Sequence, residues 1–239
     1  MKKRKGLWIT VAVLLALVIA VAVYAGDYYR ADLAAELAMQ GSDAVTVEQS
    51  GNLTVFAPEQ PEAGFIFYPG GKVEHTAYAP LLLKLAEEDV LCVLVKMPLN
   101  LAVLDMNAAE GIPEQFPEIE NWYIGGHSLG GSMAASYAAE NPEEFEGLVL
   151  LAAYSTADLR STDLKVLLAH GDRDGVLNME KYTQHMPNLP EDSCQLVIVG
   201  GNHAQFGSYG PQEGDGEARI SDKEQIVVTV RELMNWVKR

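Results

Sequence analysis

The residues best suited to chemistry begin at Gly126-His127-Ser128-Leu129-Gly130, a G-x-S-x-G pattern. An apolar, strand-like stretch (Trp122 to Ile124) precedes it, and small residues of helical character run from Leu129 to Glu140. At a strand-to-helix junction this pattern makes a sharp turn that lifts the serine hydroxyl above the end of a sheet. Bulk at 126 or 130 would collide with the neighbouring strand or helix. A serine hydroxyl is a poor nucleophile at neutral pH: it needs a base to take its proton, and the base needs an acid to orient it. Two later loops offer such groups. An apolar strand over Lys165 to Leu168 runs into Ala169-His170-Gly171-Asp172-Arg173-Asp174-Gly175, which carries two carboxylates. The strand Gln195 to Val199 runs into Gly200-Gly201-Asn202-His203-Ala204-Gln205-Phe206, which carries His203. Serine, aspartate and histidine in this chain order, each just past a strand end, point to acyl transfer by a Ser-His-Asp set.

That chemistry also needs backbone N–H groups aimed at the developing oxyanion. Leu129, directly after the nucleophile, is one expected donor. The turn after an earlier strand, Gly70-Gly71-Lys72, supplies the other: Gly71 first, with Lys72 beside it. Tyr68, His75, Met97, His127 and Phe206 are candidate pocket residues, His127 because it fills the variable place in the elbow, and Tyr209 could join them. His170 reads as a structural strand-end residue and His185 as helix surface. Glu213, Asp215 and Glu217 read as a solvated charge run, and no metal-site spacing is present.

These groups must be held by a framework, and the pattern supplies one. Short strands are predicted at Val45 to Glu48 and Leu53 to Ala57 around a Ser50-Gly51-Asn52 turn. Apolar strands at 65–68, 90–95, 122–124, 148–153, 165–168 and 195–199 alternate with helical segments at 77–88, 99–109, 129–140 and 178–185. Ser221 to Arg239 is predicted as a closing amphipathic helix, with Ser221 and Glu224 as a capping box. Continuous apolar strands such as Val90 to Val95 belong in a parallel sheet covered on both faces. Only a short segment links the strands ending at Ala153 and starting at Lys165, which leaves no room for a lid domain. Cys92 and Cys194 read as free residues within strands.

The net charge of −16 rests on 17 basic and 33 acidic residues, and beyond Gly26 it is 13 against 33. Such a surface repels phosphate backbones and excludes nucleic acid as a partner. Lys2, Lys3, Arg4 and Lys5 precede an uncharged run from Leu7 to Ala25, long enough to span a hydrocarbon core of about 30 Å. The expected organisation is a basic cytoplasmic N-terminus (1–6), a transmembrane signal-anchor (7–25), a linker helix (26–43) and a catalytic domain (44–239). The chain would then be a single-pass membrane protein with its catalytic domain extracytoplasmic. Val23 and Ala25 would also suit a signal cleavage site and a secreted product. There is no nucleotide loop, haem or zinc spacing, so no cofactor is expected.

Gly126-His127-Ser128-Leu129-Gly130-Gly131, His170-Gly171-Asp172-Arg173-Asp174 and Gly201-Asn202-His203 resemble the α/β-hydrolase superfamily over residues 53 to 239. Tyr68-Pro-Gly-Gly-Lys-Val73 and Gly201-Asn-His-Ala-Gln-Phe-Gly207 look most like small, lidless bacterial hydrolases of the dienelactone-hydrolase type. The resemblance implies the α/β-hydrolase fold, a mostly parallel central sheet with helices on both faces, and a carboxylic ester, small or lipid-like, as substrate. It implies Asp174 as the acid, four residues after the His of the His-Gly pair, with Asp172 second and Asp158 third. The family's His-Gly at the oxyanion turn is here Pro69-Gly70. An amide, peptide or thioester bond is the alternative for the same machinery. A non-catalytic binding module on the same fold is the alternative of a different class.

Overall fold

The computed structural model describes residues 2–238, with side chains from Thr10 onward. Eight strands form one sheet in the order β1-β2-β4-β3-β5-β6-β7-β8. They are β1 (Val45–Ser50), β2 (Leu53–Pro58), β3 (Ala63–Tyr68), β4 (Val90–Val95), β5 (Trp122–His127), β6 (Gly147–Leu151), β7 (Lys165–Gly171) and β8 (Ser193–Ile198). The β1–β2 hairpin turns at Gly51, whose φ of 61° suits glycine. β2 lies antiparallel to β1 and β4, and all pairings from β4 to β8 are parallel. The carboxyl ends of β3 to β8 therefore share one edge, where crevices form in open α/β sheets.

Alternating side chains serve two cores. Phe65 and Phe67 of β3 join α3 (Ala79–Ala86) and α6 (Asp222–Val237) on one face. Ile66 and Tyr68 join α4 (Leu129–Glu140) and α5 (Met179–His185) on the other. All six residues of β3, β4 and β5 are buried, as strands covered on both faces require. The expected capping box opens α6, and Trp236 near its end meets Tyr123 edge-on at 5.6 Å.

Three expectations are corrected. The first concerns the N-terminal run, which forms α1 (Lys2–Gly26). Among the described residues no helix is long and apolar enough to cross a membrane. This overturns the transmembrane helix expected over 7–25, and with it the single-pass location and the extracytoplasmic placement that depended on it. The side chains of the basic N-terminus lie outside the described ones.

Second, the linker helix expected within 26–43 shrinks to α2 (Leu33–Ala38), capped by Asp32, whose carboxylate accepts from the Ala35 N–H. Its buried residues are Ala35 and Ala38, while Leu33 and Leu37 are exposed. The chain before it is extended, because Tyr29 pairs with Val73 as a parallel bridge. Third, the helix expected over 99–109 is broken into 3-10 turns at Pro98–Asn100 and Ala102–Leu104. Leu99 and Asn100 both take positive φ, 52° and 55°, which no α-helix accommodates. The Asn100 carbonyl instead accepts the Lys72 N–H at 2.8 Å.

Candidate active site

β5 ends at His127 and α4 begins at Leu129, so Ser128 alone makes the turn. Its backbone sits at φ 53°, ψ −122°, a strained conformation for a residue with a Cβ. The Ser128 N–H donates to the Leu151 carbonyl of β6 at 2.9 Å, and its own carbonyl accepts from Ser132 at 3.1 Å. Glycine is required on both sides. A Cβ at Gly126 would run into the Tyr68 carbonyl and come within 2.8 Å of the Gly130 backbone, and one at Gly130 would run into the carbonyls of Tyr68 and Pro69. Gly130→Ala is expected to destabilise the fold by several kcal/mol, in the range of core overpacking. Denaturant unfolding beside the wild type checks this.

Asp174 lies three residues past β7 and His203 five past β8, and the fold brings them together. His203 Nδ1 is 2.9 Å from Asp174 Oδ2, and each side chain is only 1% exposed. An ionised carboxylate only accepts, so Nδ1 carries the proton and Nε2 presents its lone pair. His203 Nε2 is buried with no hydrogen-bond partner among the described residues, and no hydrogen bond joins it to Ser128 Oγ. Asp174 Oδ1 accepts from the N–H groups of Val176 and Leu177 at 2.9 and 2.8 Å. Burial pushes the Asp174 carboxyl up, but the His203 hydrogen bond and charge, with those two N–H groups, outweigh it and hold it below the ordinary aspartate value.

The other carboxylates are occupied elsewhere. Asp172 Oδ1 accepts from Gly200 N–H at 2.7 Å, and Asp158 forms an exposed ion pair with Arg160. Of the expected oxyanion donors, the Lys72 N–H is consumed by Asn100. The N–H groups of Gly71 and Leu129 have no acceptor among the described residues. The two residues are in contact: a Cβ built on Gly71 would lie 3.0 Å from the Leu129 side chain. Lys72 turns its side chain outward, to Asp27 at 2.6 Å and over the Tyr24 ring.

The expected pocket residues are mostly interior. Tyr68, Met97, Phe206 and His127 are at most 2% exposed. The Tyr68 hydroxyl donates to the Met106 carbonyl and accepts from Ala109 N–H, stitching the broken crossover to the sheet. His75 borders a separate cavity of about 250 Å³ with Glu74, Lys96, Met97 and Asn100. Burial there, with Lys96 nearby, lowers its pKa to about 4. His170 bonds its neighbouring carbonyl and meets Tyr182 edge-on, a packing role. His185, expected on the open surface, is stacked on Tyr154 at 5.3 Å. No group of His, Cys, Asp or Glu among the described residues is arranged to hold a metal ion, and Cys92 and Cys194 form no disulfide with each other.

Two functional neighbours escaped the sequence reading. Tyr78 is fully buried; its hydroxyl accepts from Gly70 N–H at 3.0 Å and meets His127 Nδ1 at 2.8 Å. His127 stays neutral, because burial and then the nearby His203 push its pKa well down, against a smaller contribution from the His203 carbonyl. Tyr78 thus ties the turn before Gly71 to the residue before Ser128. Tyr78→Phe leaves a buried N–H and a buried ring nitrogen unpaired. It is expected to cost about 2–6 kcal/mol of stability, at roughly 1–3 for each of the two orphaned groups. Urea unfolding measures it. The second neighbour is Asp215, which is turned inward rather than solvated. No local signal marks either residue, since their partners are far away in sequence.

The sequence matches the alpha/beta hydrolase family over residues 64–227. The chain belongs to that family. No curated protein gives a sequence match. Solved structures share the fold at low identity. Dienelactone hydrolase from Anabaena variabilis is 11% identical with a TM-score of 0.61, covering 81% of this chain and 97% of its own. Carboxyl esterase 2 from the mycorrhizal fungus Tuber melanosporum is 12% identical with a TM-score of 0.59, covering 86% and 90%. TT1662 from Thermus thermophilus is 16% identical with a TM-score of 0.58, covering 82% and 99%. Membership of the family supports hydrolase activity, the likenesses show the α/β-hydrolase fold, and in this chain only residues 152–164 lie between β6 and β7.

Proposed function

We propose that this chain is a serine hydrolase that cleaves a carboxylic ester through an acyl-enzyme. The observation that carries the reading is the buried Asp174–His203 pair at 2.9 Å, which leaves His203 Nε2 unpartnered among the described residues, while a strained Ser128 turns at the carboxyl end of the same sheet. Ser128 Oγ attacks the ester carbonyl carbon as its proton passes to His203 Nε2. The imidazolium is held by Asp174 Oδ2 through Nδ1–H. The oxyanion takes the N–H groups of Leu129 and Gly71. The intermediate collapses, the C–O bond breaks, and the leaving alkoxide takes the proton from Nε2. Water then repeats the sequence and frees the acid and Ser128. The missing Ser128–His203 hydrogen bond fits this scheme, because such bonds often tighten only with substrate in place. The ester assignment leans on structural neighbours whose names are those of ester hydrolases.

The test is labelling with a fluorophosphonate, in which Ser128 Oγ would displace fluoride from phosphorus. Mass spectrometry should find the adduct on Ser128, and His203→Ala should remove it. Labelling elsewhere, or labelling indifferent to His203, would sink the proposal. A matched panel of esters, amides and thioesters then asks which bond is cleaved, with the ester expected to turn over fastest.

A further inference from the structure

The loop between His203 and α6 places one carboxylate against both halves of the Asp174–His203 pair. Asp215 Oδ1 accepts from the N–H of Gly175, directly after Asp174, at 3.0 Å. The same oxygen accepts from the N–H of His203 at 3.2 Å and of Gly216 at 2.8 Å. Its other oxygen, Oδ2, accepts from Ala204 N–H at 2.9 Å. One side chain thus satisfies backbone donors on the acid loop, the base loop and its own turn. Hydrogen bonds to an ionised acceptor are the strong kind, and four of them fix a geometry that a loop would otherwise sample.

The surroundings hold this carboxylate at a set distance. A Cβ on Gly216 would run into the Arg173 carbonyl, and one on Gly175 would come within 2.5 Å of the Gly214 carbonyl, so the two turns are in backbone contact. Asn202 Nδ2 donates to the Gly216 carbonyl at 2.9 Å. The fully buried Gln225 of α6 grips Asn202 from the other side through both its N–H and its carbonyl.

We infer that Asp215 is a positioning residue: its carboxylate sets the separation of Asp174 and His203 and thereby the direction of His203 Nε2. This rests on the serine hydrolase reading, but it concerns groups that reading does not use. Asp215 meets the pair through main-chain N–H groups alone, so it takes no part in proton transfer.

Asp215→Asn is the sharpest variant, because the new amide sets an N–H₂ against one of the four N–H donors with little change of shape. The expected result is a kcat 10- to 100-fold lower with KM within twofold, the scale of a misplaced catalytic group. Asp215→Glu, which keeps the charge and moves it by one methylene, should lose activity too. The second readout is the His203 Nδ1 proton by NMR on histidine-labelled protein, assigned by its absence in His203→Gln. In the wild type it should appear far downfield, and in Asp215→Asn it should broaden or vanish while the rest of the spectrum stays folded. A wild type that fluorophosphonate leaves unlabelled would defeat the hydrolase reading, yet the proton resonance would still decide the role of Asp215. The inference is overturned if Asp215→Asn keeps both the resonance and the wild-type kcat within twofold. It is equally overturned if kcat falls only in proportion to the unfolded fraction.

Discussion

Replacing His203 with alanine should lower kcat by about 10⁶-fold, and replacing Ser128 should cost about the same, with the double variant no worse than either single one. The reason is the division of labour at the site. Ser128 Oγ has no use for its position without a proton acceptor, and the acceptor has no proton to take without Ser128. Two groups that act as one unit give non-additive losses, whereas two independent contributions would multiply. What survives should be a residual rate of roughly 10³–10⁴ over water, set by substrate binding and by the Leu129 and Gly71 donors. A stability comparison separates the nucleophile from its backbone. Ser128 is held at φ 53°, ψ −122°, and alanine inherits that strain, but glycine does not. Ser128→Gly should therefore be more stable than Ser128→Ala by about 1–3 kcal/mol, with both inactive. Measured kcat values for the three variants and the double, with denaturant midpoints for the two serine replacements, check the whole argument. A double variant far below both singles would mean that Ser128 and His203 do not work together.

The candidate site was legible in sequence where a residue's place is fixed by a strand end. Ser128 follows β5, Asp174 follows β7 and His203 follows β8, so the parallel sheet puts all three at its carboxyl edge, where Asp174 and His203 are hydrogen-bonded to each other. The strands themselves were legible for the same reason: runs such as Val90 to Val95 are apolar throughout because both faces are covered. Legibility ended where a residue's role depends on a partner far along the chain. Lys72 stood second to Gly71 as an oxyanion donor, and the Asn100 carbonyl takes its N–H, which it reaches because 99 and 100 abandon the helical conformation that their neighbours' pattern suggested. Tyr68 and Phe206, read as candidate pocket residues, are fully buried, Tyr68 at the end of β3 and Phe206 in the turn after His203. Asp215 sat in what looked like a charge run. Nothing local distinguishes it from the exposed Glu213 and Glu217, and only the fold turns it toward four N–H groups. At α1 a local apolar run was read as a membrane span, and among the described residues no helix is long and apolar enough to be one.

Asp174→Asn should lower kcat by about 10⁴-fold while leaving the fold intact at neutral pH. The carboxylate accepts from His203 Nδ1–H and so keeps the lone pair on Nε2, which the proposed mechanism uses as the base. An asparagine amide that turns its N–H₂ toward Nδ1 reverses this: the ring proton moves to Nε2, and the base is lost without any side chain leaving its place. The same substitution has a pH signature in stability. The Asp174 carboxyl is held below its ordinary value in the folded protein, so its ionised form contributes stability at all pH values above the unfolded value of about 3.9. That contribution is lost as pH falls below about 3.9 toward the lower folded value. Asp174→Asn should therefore be less stable than the wild type at pH 7, and the gap should close on acidification through that window. His75 gives the complementary control. Its folded pKa of about 4 lies below the ordinary 6.5, so its neutral form contributes stability that is present above about 6.5 and lost as pH falls toward about 4. His75→Gln should flatten the stability curve in that higher window and leave the one belonging to Asp174 unchanged. Denaturant midpoints from pH 3 to 8 for the wild type and both variants resolve the two. A gap for Asp174→Asn that stays constant across the acid range would show that the carboxylate's charge contributes nothing to holding His203.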